Sequence, residues 1–132
     1  MNEEPTIIKE LDLDASIVSM RNDGIIQIFM KANRTMNIID GKQMVQAFKE
    51  IGGGKKYPLL FIAGNFTLAN TEARQYAASE EANKYTLASA FVVNNIAQKL
   101  MGQAYMSFNH PITPTRILTN EEDAISWLKS FL

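Results

Sequence analysis

Short apolar runs alternate along this chain with longer stretches in which apolar residues return every three to four positions. Residues 17–20, 24–30, 57–63, 87–93 and 115–118 carry the first pattern and predict strands. Asn22-Asp23-Gly24 between the first two offers the positive-φ glycine of a tight hairpin turn. Residues 24–30 are almost continuously apolar, as in a strand covered on both faces. Four helical stretches separate or follow the remaining strands. The expectation is a single-domain α/β layer, a five-stranded mixed sheet with four helices in the order β-β-α-β-α-β-α-β-α.

The helix boundaries have local signals. Asp40 reads as an N-cap with Gln43 at the reciprocal capping position, and Met44, Val45, Phe48 and Ile51 share the next face. Gly52-Gly53-Gly54 ends that helix. Asn70 reads as the next N-cap, for a helix over 71–78 that extends to Lys84 unless Ser79-Glu80-Glu81 breaks it. Ile96, Ala97, Leu100, Met101, Ala104, Tyr105 and Phe108 trace a 3.6-residue stripe over 95–108, closed by Pro111 and Pro114. Asn120 caps the last helix, with Glu121, Glu122 and Asp123 at the positive end of its dipole and Ala124, Trp127, Leu128 and Phe131 on one face.

Both long stripes are expected to lie against the sheet and bury Leu100, Phe108, Trp127 and Leu128. Trp127→Ala then costs about 3–5 kcal/mol. Residues 1–14 read as an N-terminal extension or edge segment, and residues 15–132 as one domain.

Composition narrows the function more than it names it. The 132 residues carry 13 Lys and Arg against 14 Asp and Glu, a net charge of −1, which gives no general attraction for nucleic acid or an anionic membrane. No apolar run approaches the roughly 18–20 residues of a membrane span. The opening Met1-Asn2-Glu3-Glu4-Pro5 is acidic and unlike a secretory signal, so a cytoplasmic protein is expected. On that basis Asn33-Arg34-Thr35 and Asn65-Phe66-Thr67 are chance matches to the glycosylation pattern. The absence of Cys removes disulfides, thiolate nucleophiles and Cys-ligated zinc.

His110 is the sole imidazole and sits in a loop pattern, so multi-His metal sites and paired-His mechanisms are excluded. Gly52-Gly53-Gly54-Lys55-Lys56 lacks phosphate-loop spacing and follows a helix instead of opening one. The acidic clusters Glu80-Glu81 and Glu121-Glu122-Asp123 read as helix-start charges, with no second ligand set for a divalent cation. The abundant Met residues, among them Met30, Met36 and Met101, fit ordinary core packing or a pliable apolar pocket. No catalytic residues, metal or cofactor are expected.

Tyr57-Pro58-Leu59-Leu60-Phe61-Ile62, a loop, Thr71-Glu72-Ala73-Arg74-Gln75-Tyr76-Ala77, and the ending from Pro111 through Arg116-Ile117-Leu118 and Glu121-Glu122-Asp123-Ala124 to Trp127-Leu128 resemble an uncharacterised bacterial group of STAS-like, SpoIIAA-like proteins. The resemblance spans about residues 15–132 and implies the anti-sigma-factor-antagonist fold. In signalling members a partner kinase phosphorylates the Ser of an Asp-Ser pair at the start of the second helix. Here that place reads Asn70-Thr71-Glu72; the Asp, the Ser and the following Gly are absent.

The resemblance implies a non-enzymatic regulatory module with a protein partner, its surface running from Asn65 and Thr67 through Asn70 and Thr71 to Arg74. The plain alternative at this place is a helix cap followed by an ordinary first helical residue. A domain binding a small molecule or lipid between sheet and helices, an enzyme with an unrecognised site, and association into homodimers remain open.

Overall fold

A computed structural model describes residues 5–132, and Glu3 and Glu4 of the acidic leading segment lie outside the described residues. The chain runs β1 (Ile7–Asp12), β2 (Ser16–Arg21), β3 (Ile26–Met30), β4 (Thr35–Met36), α1 (Ile38–Gly52), β5 (Tyr57–Ala63), β6 (Leu68–Ala69), α2 (Thr71–Ala77), β7 (Thr86–Val92), α3 (Ile96–Ala104), a π-helical turn (Tyr105–Asn109), β8 (Thr115–Leu118) and α4 (Glu121–Lys129). The main sheet has six strands in the order β1-β2-β3-β5-β7-β8, one more than the sequence pattern predicts. The sixth is β1, an edge strand of mostly exposed residues that pairs antiparallel with β2. Its mixture of charged and apolar positions carries little alternation to betray it.

The predicted hairpin joins β2 to β3, with Gly24 at φ +85°. From β3 outward the pairing is parallel, so β3, β5, β7 and β8 end along one edge at Met30, Ala63, Val92 and Leu118. One sheet face buries Val18, Ile26, Ile28 and Leu59 beneath Met44, Phe48 and Ile51 of α1. Phe48, Phe61 and Phe91 continue to Tyr105 as an aromatic row with successive centroids 6.3, 4.4 and 6.0 Å apart. The opposite face is covered by α4, whose Ala124 and Leu128 pack on Ile25, Leu60, Ala88 and Ala90.

Two expectations change, the start of α1 and the burial of Trp127, and the end of α2, left open by the sequence, is decided. Asn37, not Asp40, caps α1; Asp40 is the reciprocal partner, its carboxylate accepting from the Asn37 N–H at 2.9 Å. The second helix stops at Ala77, where Ser79 Oγ turns back to donate to Tyr76 O, so it does not run to Lys84. Trp127 is half-buried at the rim of α4, edge-on to Phe131 at 5.1 Å and under the Arg116 guanidinium at 4.9 Å, and not a core residue.

The largest correction concerns α3. Leu100 and Phe108, expected inside, are 59 % and 81 % exposed, and Ile96 is 77 % exposed. The helix instead turns Gln98, Gly102 and Tyr105 inward, positions i, i+4 and i+7 of one face. Gly102 makes this possible, because a Cβ there would stand 2.9 Å from Ile117 Cγ2. The predicted stripe is split: Met101 and Tyr105 face the cavity, while Ile96, Leu100 and Phe108 are left facing outward.

Candidate functional site

In a parallel sheet the loops after the strand ends converge on one edge, where open α/β sheets hold their ligands. Each of the four helices among the described residues begins at that edge with an Asn cap. Asn37, Asn70, Asn95 and Asn120 accept from the N–H groups of Asp40, Ala73, Gln98 and Asp123 at 2.8 to 3.0 Å.

The β5–α2 loop, residues 64–70, is the most heavily tied of these connections. Gly64 opens it by donating its N–H to Met30 O at 2.8 Å, and a Cβ at Gly64 would lie 2.5 Å from that oxygen, so no larger residue fits. Asn33 N–H donates to Asn65 O at 2.8 Å, Leu68 N–H to Arg34 O at 2.9 Å and Asn70 N–H to Met36 O at 3.0 Å. These bonds frame the small parallel pair β4–β6, which the sequence pattern did not predict. Thr67 is buried and its hydroxyl donates to Lys31 O.

Gln98 locks the loop from above. It is only 1 % exposed, and its Nε2 donates to Gly64 O at 2.9 Å and Thr67 O at 3.1 Å. Its Oε1 accepts the Asn94 N–H at 3.0 Å, while Asn94 Nδ2 reaches Ala63 O at 2.9 Å. Sequence analysis did not single out Gln98. The available signal was a Gln three residues after an Asn cap and four before a Gly.

The five residues expected at the site therefore take different places. Asn65 is exposed and contributes its backbone; Thr67 is buried and holds the loop to β3; Asn70 caps α2. Thr71 is the exposed first residue of α2, and its Oγ1 accepts from Arg74 Nη2 at 3.3 Å. Arg74 Nη1 donates to Ala69 O, and among the described residues Arg74 has no carboxylate partner within ion-pair distance. The loop tip carries Phe66, 72 % exposed and at φ +60°.

Beneath the loop, α2, α3 and the sheet line a partly open apolar pocket of about 100 Å³. Ala73 and Ala77 leave space on the α2 side, and Met36, Met101, Phe91 and Tyr105 close the rest. Burial pushes the Tyr105 phenol up from its ordinary pKa, so it is a neutral wall at physiological pH. Among the described residues lining the cavity, Arg74 is the single charged one. No group of three or more His, Asp or Glu side chains gathers for a metal ion among the described residues, and no helix there is long and apolar enough to cross a membrane.

The architecture is that of a crystallised protein of the DUF3478 family from Shewanella loihica PV-4, described as uncharacterised and as having a SpoIIAA-like fold. The two superpose with a TM-score of 0.56 over 97 % of this chain and 98 % of that one, at 11 % identity. The likeness is one of fold, and the fold of this chain is SpoIIAA-like, as the sequence resemblance implied. None of the curated proteins matches the chain. The family model described as a domain of unknown function, DUF7793, matches residues 18–132, nearly the whole chain, and the protein belongs to that family.

Proposed function

We propose that this protein is a non-catalytic regulatory module of the cytoplasm that docks a protein partner through the outward side of α3 and the adjoining β5–α2 loop. The observation carrying the reading is the inverted α3. Ile96 and Leu100 of α3, and Phe108 of the π-helical turn that continues it, present large apolar side chains to solvent, while the polar Gln98 is spent inside. Apolar surface gathered in this way marks interaction sites in water-soluble folds. Phe66, at the tip of the β5–α2 loop that Gln98 ties to α3, is likewise exposed.

Thr71 and Arg74 follow that loop with the polar groups a regulated surface uses. A phosphate on Thr71 adds nearly two negative charges beside the Arg74 guanidinium and would redirect its hydrogen bonds. Affinity capture from native cells tests the reading, comparing wild type with Leu100→Glu and Thr71→Glu. The expected result is a stoichiometric partner on wild type, lost on Leu100→Glu and altered on Thr71→Glu, with all three proteins melting alike. Equal recovery on wild type and Leu100→Glu would remove the α3 surface; unchanged recovery on Thr71→Glu would remove the switch.

A second reading has its own observation. The partly open apolar pocket beneath the loop, walled by alanine, methionine and aromatic side chains, favours a small, largely hydrocarbon ligand.

A further inference from the structure

Two loops at the sheet edge are built alike and differ in one informative residue. The parallel pair β4–β6 sets Thr35 opposite Leu68 and Met36 opposite Ala69. The same alignment sets Asn37 opposite Asn70, both helix caps, and Asn33 opposite Phe66, both in the left-handed region at φ +59° and +60°. Asparagine adopts that conformation readily, whereas in a bulky aromatic residue it is a steric outlier. Phe66 is also 72 % exposed, so little packing within the molecule offsets the strain. Asn33 shows that this backbone can be made without a large side chain. Conformation and exposure both count against phenylalanine in the isolated fold, which marks position 66 as a contact position.

The ring is presented on a fixed platform. Asn33 N–H donates to Asn65 O at 2.8 Å just before it, and Thr67 N–H to Gly64 O at 3.3 Å just after. The Thr67 hydroxyl holds Lys31 O, and the Gln98 amide holds Gly64 O and Thr67 O. A preordered aromatic anchor loses little freedom on binding, and such residues dominate interface energetics.

The charges tied to this platform are mostly basic. Exposed Arg34 accepts the Leu68 N–H on its carbonyl at 2.9 Å, and Arg74 donates to Ala69 O. Neither has a carboxylate within ion-pair distance among the described residues, whereas Lys31 is engaged by Asp12 at 2.7 Å. Residues 31–37 and 64–70 contain no acid, and Glu72 follows only in the first turn of α2.

We infer that Phe66 anchors the protein partner by entering an apolar pocket on it, and that the rim of that pocket is acidic and meets Arg34 and Arg74. The inference rests on the reading that a protein docks on α3 and the β5–α2 loop, and it states what that protein must present.

The test uses the full chain as wild type, Phe66→Asn, Leu100→Glu and the double variant Arg34→Gln with Arg74→Gln. Each is melted, and each is used to capture protein from native cells at about 50 and 300 mM salt. A further form carries a photo-cross-linking phenylalanine analogue at position 66, and its adduct is sequenced by mass spectrometry. Phe66→Asn should melt about 2–5 °C above wild type, because strain and exposed ring are both removed, yet recover at least about tenfold less partner. Recovery on wild type should fall with salt, and the double variant should be weak and nearly salt-independent. The adduct peptide should hold Asp or Glu beside apolar residues. Undiminished recovery on Phe66→Asn, with recovery lost on Leu100→Glu, overturns the anchor and leaves the docking reading standing. A Phe66→Asn protein melting below wild type gives the ring a structural role and overturns the strain argument. Salt-independent recovery on wild type overturns the acidic rim. An adduct with lipid or with a second copy of this chain overturns the assignment of a separate protein partner. No partner on wild type overturns the inference and the docking reading together.

Discussion

Gln98→Leu removes the one side chain that ties the start of α3 to the β5–α2 loop, while keeping similar bulk and good helix propensity. Three hydrogen bonds disappear, to Gly64 O, Thr67 O and from Asn94 N–H. Gly64 O keeps the Thr67 N–H at 3.3 Å, so the loss falls mainly on Thr67 O and Asn94 N–H. A buried polar group left without a partner costs about 1–3 kcal/mol, and Asn94 lies near enough to solvent to sit at the low end. The expected destabilisation is about 2–3 kcal/mol. For a chain of this length, unfolding entropy of about 2.1 cal/mol/K per residue converts that to a fall of roughly 7–11 °C in Tm. Thermal unfolding by circular dichroism measures it. Amide exchange locates it: Leu68 and Asn70 should lose protection while β5 and β7 keep theirs. A Tm within about 2 °C of wild type, with Leu68 and Asn70 still protected, would show that Gln98 is not the lock described.

Other substitutions probe the same frame. Gly102→Ala places a Cβ 2.9 Å from Ile117 Cγ2 and should cost about 1–3 kcal/mol in denaturant unfolding, a cost that should vanish in an Ile117→Ala background, where Cγ2 is gone. Leu128→Ala, in the fully buried core under α4, should cost about 2–5 kcal/mol, whereas exposed Leu100→Ser should stay within about 0.5 kcal/mol; equal costs would mean α3 faces the other way. Trp127→Ala, half-buried between Phe131 and Arg116, should cost about 1–2 kcal/mol, below the value expected from sequence. Burial, and then the nearby Glu81 carboxylate, push the Tyr76 phenol from 10.0 up to about 12. A raised folded-state pKa means the protonated form is favoured by folding. Its contribution is complete below pH 10 and is lost as pH rises toward 12. Melting across that window should therefore fall less steeply in Tyr76→Phe than in wild type.

The sequence carried the fold where local chemistry was unambiguous. Asn-Asp-Gly marked the hairpin, Asn70 and Asn120 marked two helix starts, and Gly53 ends α1 in the left-handed conformation at φ +63°. It misplaced the start of α1 because Asn37 to Asp40 and Asp40 to Gln43 offer the same capping spacing, and only the chain path selects between them. Residues 7–12 read only as part of an extension or edge segment, not as a sixth strand, because an edge needs no covered face and so carries little alternation.

The candidate site was legible as a stretch, not as a geometry. Residues 65–74 do gather at the strand ends, yet the residues that shape the cavity and lock the loop, Met101, Tyr105 and Gln98, lie some thirty positions away. A 3.6-residue periodicity says which residues of a helix share a side, and it does not say which side meets the sheet. On α3 the close approach of Gly102 and the backbone carbonyls waiting for Gln98 decided the matter against the larger side chains.

The most direct test of the account places a photo-cross-linking amino acid at position 100, at position 108, or at exposed position 49 of α1, and irradiates native cells expressing each variant. The account predicts one discrete protein adduct from positions 100 and 108 and none from position 49. No adduct from positions 100 and 108, or the same adduct from all three positions, would contradict the claim that the outward side of α3 is where a partner binds.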